Sequence, residues 1–318
     1  MTLALRLLDT LGRHATLMLA GGALFGLALP GAAEAARPLL APLVSGLLAL
    51  ALMRLRRAEA LAQLRAPLAP LLAVPWLLLG TAPLMLGVVT LAGPLDSPGV
   101  EAGMVMMAAS SPITAAPAIA LMMGLPLPVC LATTLLATVL VPLTAPWLFG
   151  AVLALPLSVD AGALAWRLAG VVGGGLLLAV VARRMTTPGW RERNARRLDG
   201  VAVILLFAFA LAIMAGVGEV LAGDPWRVAR LIGLSFVLCA GMMATTTVLF
   251  LPFGRPTALG LGYLSSSRNM GILLAALPPA ADPDIGLWFA LAQFPLYMLP
   301  AMLRPVVTRF APAPGKPV

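Results

Sequence analysis

Ten apolar runs constrain this chain more than any other feature. They cover residues 14–31, 38–54, 67–92, 100–124, 127–154, 162–183, 199–221, 227–251, 256–279 and 284–307. A helix needs about 20 apolar residues to cross a bilayer, whereas a membrane-spanning strand needs only about 9–11. Inside hydrocarbon the backbone must satisfy its own hydrogen bonds, so runs of this length predict helices. The chain is 61% hydrophobic and 10% charged, against about 25% charged in soluble domains. The spacing leaves no room for a soluble domain. We therefore expect an all-α polytopic membrane protein of about ten transmembrane helices. Its partner is the lipid bilayer and not nucleic acid, despite a net charge of +9.

The placement of that charge orients the helices. With the N-terminus inside, one set of loops and ends holds Arg6, Arg13, Arg54, Arg56, Arg57, Arg65, Arg183, Arg184, Arg191, Arg193, Arg196, Arg197, Arg255, Arg304, Arg309 and Lys316, which is sixteen of the 21 basic residues. The other side receives Arg37, Arg167, Arg227 and Arg230 with Asp96, Asp160, Asp224, Asp282 and Asp284. Such a bias predicts both termini and the 183–200 linker in the cytoplasm. Arginine outnumbers lysine 20 to 1 beside heavy use of Ala, Leu, Gly and Pro. This points to a GC-rich bacterial genome, hence a bacterial inner membrane. Arg6 and Arg13 followed by an apolar run and GAAEAA (31–36) have the layout of a signal peptide. The next apolar run follows at once, so the segment is read as a first spanning helix that serves as its own insertion signal.

One charge falls inside a span. Arg268 lies in TALGLGYLSSSRNMGILLAALPP (257–279), thirteen residues after Arg255, which is about 20 Å of helix. A charge at that depth costs about 2.5–3.5 kcal/mol on insertion scales. No Asp or Glu occupies the middle of any run, leaving carbonyls, water or an anionic solute as its partner. Glu101 and Glu219, near outer helix ends, are the nearest acidic candidates for a structural pair. Ser266, Ser267 and Asn269 flank the arginine, and glycine interrupts the run, as in the broken helices of transporters.

A second segment has the same build. MVMMAASSPITAAPAIALMMGLPLP (104–128) and LGYLSSSRNMGILLAALPPAADP (261–283) each centre on a serine pair and run through small residues to a proline-containing turn. Ser110–Ser111 and Ser266–Ser267 are equivalent by sequence offset, in the fourth run of each half. Five runs per half is odd, so residues 1–155 and 156–318 would form two repeats of opposite orientation. In 108–118, Pro112 and Pro117 disturb the helix beside Ser110, Ser111 and Thr114. The segment is either a kinked packing helix or a broken, site-forming one. Thr134 and Thr138, four apart, share a face of the fifth run, and Gln293 is a polar residue in the tenth, as interhelical contact or site lining. Cys130, Cys239 and the methionines of 104–123 carry no metal-ligand spacing and read as packing; ATTTV (244–248) is a polar patch of the eighth run, either packing or cavity lining; and no nucleophile motif with a base partner is present.

Ten spans, the small-polar fourth, a threonine-rich fifth running to PLTAP and SRNMGILLA in the ninth together resemble the bile acid:sodium symporter family, whose superfamily includes arsenite efflux permeases. The resemblance implies a 5+5 inverted repeat, core and panel domains, and broken fourth and ninth helices that cross. It also implies alternating access. Sodium is the ion it implies, with Thr134 and Thr138 matching a liganding hydroxyl pair, and Asn269 and Gly271 fit its ninth-helix pattern. Two departures stand out. The family's ninth-helix glutamate falls at or near Leu264 and its glutamine at Arg268, and the fourth-helix asparagine has no counterpart among Ser110, Ser111 and Thr114. A permanent guanidinium beside a cation site repels sodium. Arg268 thus either replaces a bound cation or meets an anionic substrate directly.

These readings predict a secondary transporter of a small organic solute, an anion, with an altered sodium site. Arg268, Asn269, Ser266, Ser267, Ser110, Ser111, Thr114 and Gln293 are the expected substrate-lining residues, and no other cofactor is expected. A membrane-embedded enzyme or a non-transporting sensor is the rival class.

Overall fold

The computed structural model describes residues 15–54, 68–152, 160–278 and 281–310. The termini and Arg6, Arg13, Arg56, Arg57, Arg65 and Lys316, on which the predicted orientation partly rests, lie outside them. The described residues form helices joined by short connections, with no β-strand beyond one isolated bridge. We number them α1 (Ala15–Ala28), α2 (Pro30–Met53), α3 (Leu68–Ala92), α4 (Pro98–Ala109), α5 (Ala116–Met122), α6 (Leu127–Trp147), α7 (Ala161–Met185), α8 (Ala195–Ile213), α9 (Val217–Gly223), α10 (Pro225–Leu249), α11 (Arg255–Ser266), α12 (Met270–Ala276), α13 (Pro283–Leu291) and α14 (Gln293–Phe310).

Six helical segments among the described residues are long and apolar enough to cross a membrane. A seventh arises if α8 and α9 count as one span, bent by 47° where Gly216 takes a positive φ of 78°. Many of these helices are as apolar outside as inside: Leu71, Leu91, Leu143, Leu177, Val237 and Val248 are exposed side chains. A helix that is hydrophobic all round belongs in a lipid solvent. This is a multi-pass membrane protein.

The boundaries follow local chemistry. α2 starts at Pro30 and not at residue 38, because Pro30 suits a first helical position and the AAEAA stretch (32–36) is made of strong helix formers. A 3-10 turn at Arg37–Leu39 joins it to the remainder. Ser97, Asp160 and Asp224 cap α4, α7 and α10 by accepting from the backbone N–H groups of Val100, Ala163 and Arg227. Pro75 and Pro83 lie in α3, and between them the helix widens into a π-turn at Trp76–Gly80.

α1 packs on α8, and α2 packs on α7 and α8. Gly22 and Gly26 allow the first contact, since a Cβ there would meet the carbonyls of Phe207 and Leu211 at 2.6 and 2.8 Å. Elsewhere α3 packs on α4 and α6, α10 on α11 and α14, and α13 on α4, where Trp288 is buried against Gly103. α6 meets α7, and α12 meets α2 and α7, so these helices join the two sets.

Helix ends predicted to share a side of the membrane do meet. Arg183 donates to the Leu52 carbonyl. At the opposite helix ends Arg227 binds Asp96 and Asp284, each at 2.8 Å, Arg230 also binds Asp96, and Ser97 donates to Asp284. Burial alone would raise the Asp96 pKa, but the hydrogen bonds and charges of Arg227 and Arg230 outweigh it and hold the carboxyl below its ordinary value.

Candidate functional site

Two interrupted helices meet at the centre of the site. α4 stops at Ala109 and α5 begins at Ala116; α11 stops at Ser266 and α12 begins at Met270. Each pair consists of a 12-residue and a 7-residue helix, about 18 and 10 Å long, so neither piece alone crosses a bilayer. The two gaps pair as an antiparallel bridge between Pro112 and Arg268. The Ile113 N–H donates to the Ser267 carbonyl at 2.8 Å, and the Asn269 N–H to the Ser111 carbonyl at 2.6 Å. In this register Pro112 and Arg268 are the pair that exchanges no hydrogen bond of its own. A proline is tolerated there because no donor is required of it.

Arg268 is 1% exposed. Its Nε donates to the Ser265 carbonyl at 2.7 Å, and its Nη1 to the carbonyls of Ser110 at 2.7 Å and Leu77 at 2.9 Å. Its Nη2 donates to the Thr81 hydroxyl at 3.0 Å. Those carbonyls are free because the helices are irregular there. The Asn269 N–H, which a continuous helix would aim at Ser265, crosses instead to Ser111. The Thr81 N–H, which an α-helix would aim at Leu77, reaches back to Trp76 across the π-turn. Ser110 lies beyond the last turn of α4. The guanidinium satisfies groups that lipid cannot. None of the four bonds runs to a carboxylate. Glu101, expected as a structural partner, instead accepts from the Leu95 N–H, and Glu219 lies in the first turn of α9.

The predicted lining residues fall into three groups. Ser110 and Ser266 spend their hydroxyls on carbonyls three residues back, Met107 and Tyr263. Ser111 and Ser267 are buried in the gaps, while Asn269 and Thr114 are part-exposed there. Thr138 donates to the Thr134 carbonyl at 2.8 Å and lies 3.4 Å from the Ser111 hydroxyl, which ties α6 to the first gap. Among the described residues, the hydroxyls of Thr134 and Thr133 are buried without a partner. Gln293, at the start of α14, donates to the Phe289 carbonyl and shares no hydrogen bond with the gaps among the described residues.

Sequence reasoning passed over Leu77 and Thr81. The Thr81 hydroxyl lies 2.9 Å from the Leu77 carbonyl and 2.7 Å from that of Ala108, so it joins α3, α4 and the arginine. A threonine between Pro75 and Pro83 is the signal that would have found it. Of the ATTTV segment, Thr246 accepts from the Trp76 indole beside the same π-turn. A narrow cleft, with room for about one water molecule, lies between α2, α6 and α7, lined by Leu48, Leu135, Val139, Val172 and other apolar residues, with Thr138 as its polar group.

No family model matches this sequence, and no curated protein matches it significantly.

Proposed function

We propose that this protein is a secondary transporter that moves a small organic anion across the membrane by alternating access. The observation that carries this reading is the paired crossing of two interrupted helices around a buried guanidinium. Irregular backbone at membrane depth is tolerated where it is enclosed by protein or lines a cavity, and transporters build their sites from it. Pro112 and Arg268 share the offset that relates Ser110 to Ser266. Exchanging the two gaps maps each of their hydrogen bonds onto the other. The equal helix lengths on both sides fit the same relation. This two-fold correspondence supports an inverted repeat of residues 1–155 and 156–318, ten spans including the interrupted ones, and the likeness to bile acid:sodium symporters.

An anion suits the site because its formal charge is positive and, among the described residues, no carboxylate contacts it. Four of the five guanidinium protons are engaged, and the fifth remains on Nη2. Thr134, Thr138, Ser111 and Ser267 supply hydroxyls beside the gaps, and Thr138 also faces the narrow cleft between the two helix sets. The Thr134 and Thr138 pair is also where a sodium ion would be held.

A thermal-shift screen of carboxylates with and without sodium, followed by uptake of each stabilising compound into proteoliposomes, tests the reading. We expect at least one carboxylate both to raise the apparent Tm and to accumulate. Stabilisation without accumulation favours the sensor, chemical conversion of the compound favours the enzyme, and no response overturns the assignment.

A further inference from the structure

The four acceptors around Arg268 form a cage of the kind that holds a free cation. They are three main-chain carbonyls and one hydroxyl, from three separate segments: Leu77 and Thr81, Ser110, and Ser265. Two of these segments are the C-terminal ends of 12-residue helices. Each such end carries roughly half a negative charge, so both favour a cation between them. The cage is enclosed, since Arg268 is buried within it, and among the described residues no acidic side chain contributes to it.

We propose that this cage is a monovalent-cation site occupied by the protein's own side chain, so that Arg268 is a tethered cation locking the two gaps and the π-turn together. Removing the side chain leaves a site for a free planar cation of the guanidinium class. In wild-type protein the site is permanently filled, so solute movement is not coupled to a free cation there. That last consequence rests on the transport reading; the occupied cage itself does not.

The test uses the purified full-length protein and reads stability, without any solute. Arg268→Ala leaves three carbonyls and Thr81 without their donor, and its apparent Tm should fall by about 5 °C or more. Methylguanidinium at millimolar concentration should restore much of that loss saturably, whereas tetramethylammonium at equal ionic strength should not, and wild-type protein should respond to neither. Restoration by sodium as well would still mark a cation site, of broader selectivity. A destabilised variant that no cation restores, or one with wild-type Tm, overturns the proposal. If the alanine variant does not fold, Arg268→Lys and Arg268→Gln decide. A cation site ranks lysine above glutamine in Tm, whereas a hydrogen-bonding spacer ranks glutamine equal or higher and sinks the idea. Absence of uptake in proteoliposomes bears on the transport reading and leaves these stability results untouched.

Discussion

Among the described residues the Thr134 hydroxyl is buried without a hydrogen-bond partner, a condition that costs about 1–3 kcal/mol unless something else meets the group. Val has nearly the same shape. Thr134→Val should therefore leave the apparent Tm unchanged or raise it, while lowering uptake if the hydroxyl serves the solute. A fall in Tm with normal uptake would make it a structural group. Arg268 shows what a residue's identity discloses and what it hides. Its position in an uncharged span was visible in the sequence, as was the lack of an acid at its depth. Its partners were not, because they are main-chain carbonyls. Any residue carries one, and only helix irregularity decides which are free.

At the scale of elements, prolines and serines point to a kink or break near 110–117, and serines and glycine to one near 264–270; the gaps lie at 110–115 and 267–269. The π-turn of α3 was less legible, since Pro75 and Pro83 predict a disturbance without its form. The pairing of Pro112 with Arg268 follows from the shared offset only once both gaps are known to cross. The ionic cluster at the start of α10 brings together residues that charge bias had assigned to one side of the membrane. Asp96 has a folded-state pKa held below its ordinary 3.8. Its contribution to stability is thus fully present above about pH 4 and lost as the pH falls through the depressed value. Asp96→Asn should cost about 1–3 kcal/mol near neutral pH and flatten the acid limb of a stability-against-pH curve. An unchanged acid limb would show that the cluster contributes nothing.

Across the whole molecule, α1, α2, α7 and α8 form one packed set, while α3, α4, α6, α10, α11, α13 and α14 form another. The cleft containing Thr138 lies where α6 of the second set faces α2 and α7 of the first. Helical class and membrane residence were plain from apolar run length. Which helices pack together was not, because similar apolar faces can meet in many ways and the lipid itself competes for them. If transport requires the two sets to move past each other, tying them together across this cleft must stop it. The decisive measurement is solute counterflow in proteoliposomes with a Leu48→Cys/Leu135→Cys protein whose buried Cys130 and Cys239 are replaced by alanine. Before cross-linking it should exchange the carboxylate found by thermal shift. A short bifunctional thiol reagent should abolish exchange, and cleaving the cross-link should restore it. Undiminished counterflow through fully cross-linked protein would contradict alternating access between these helix sets.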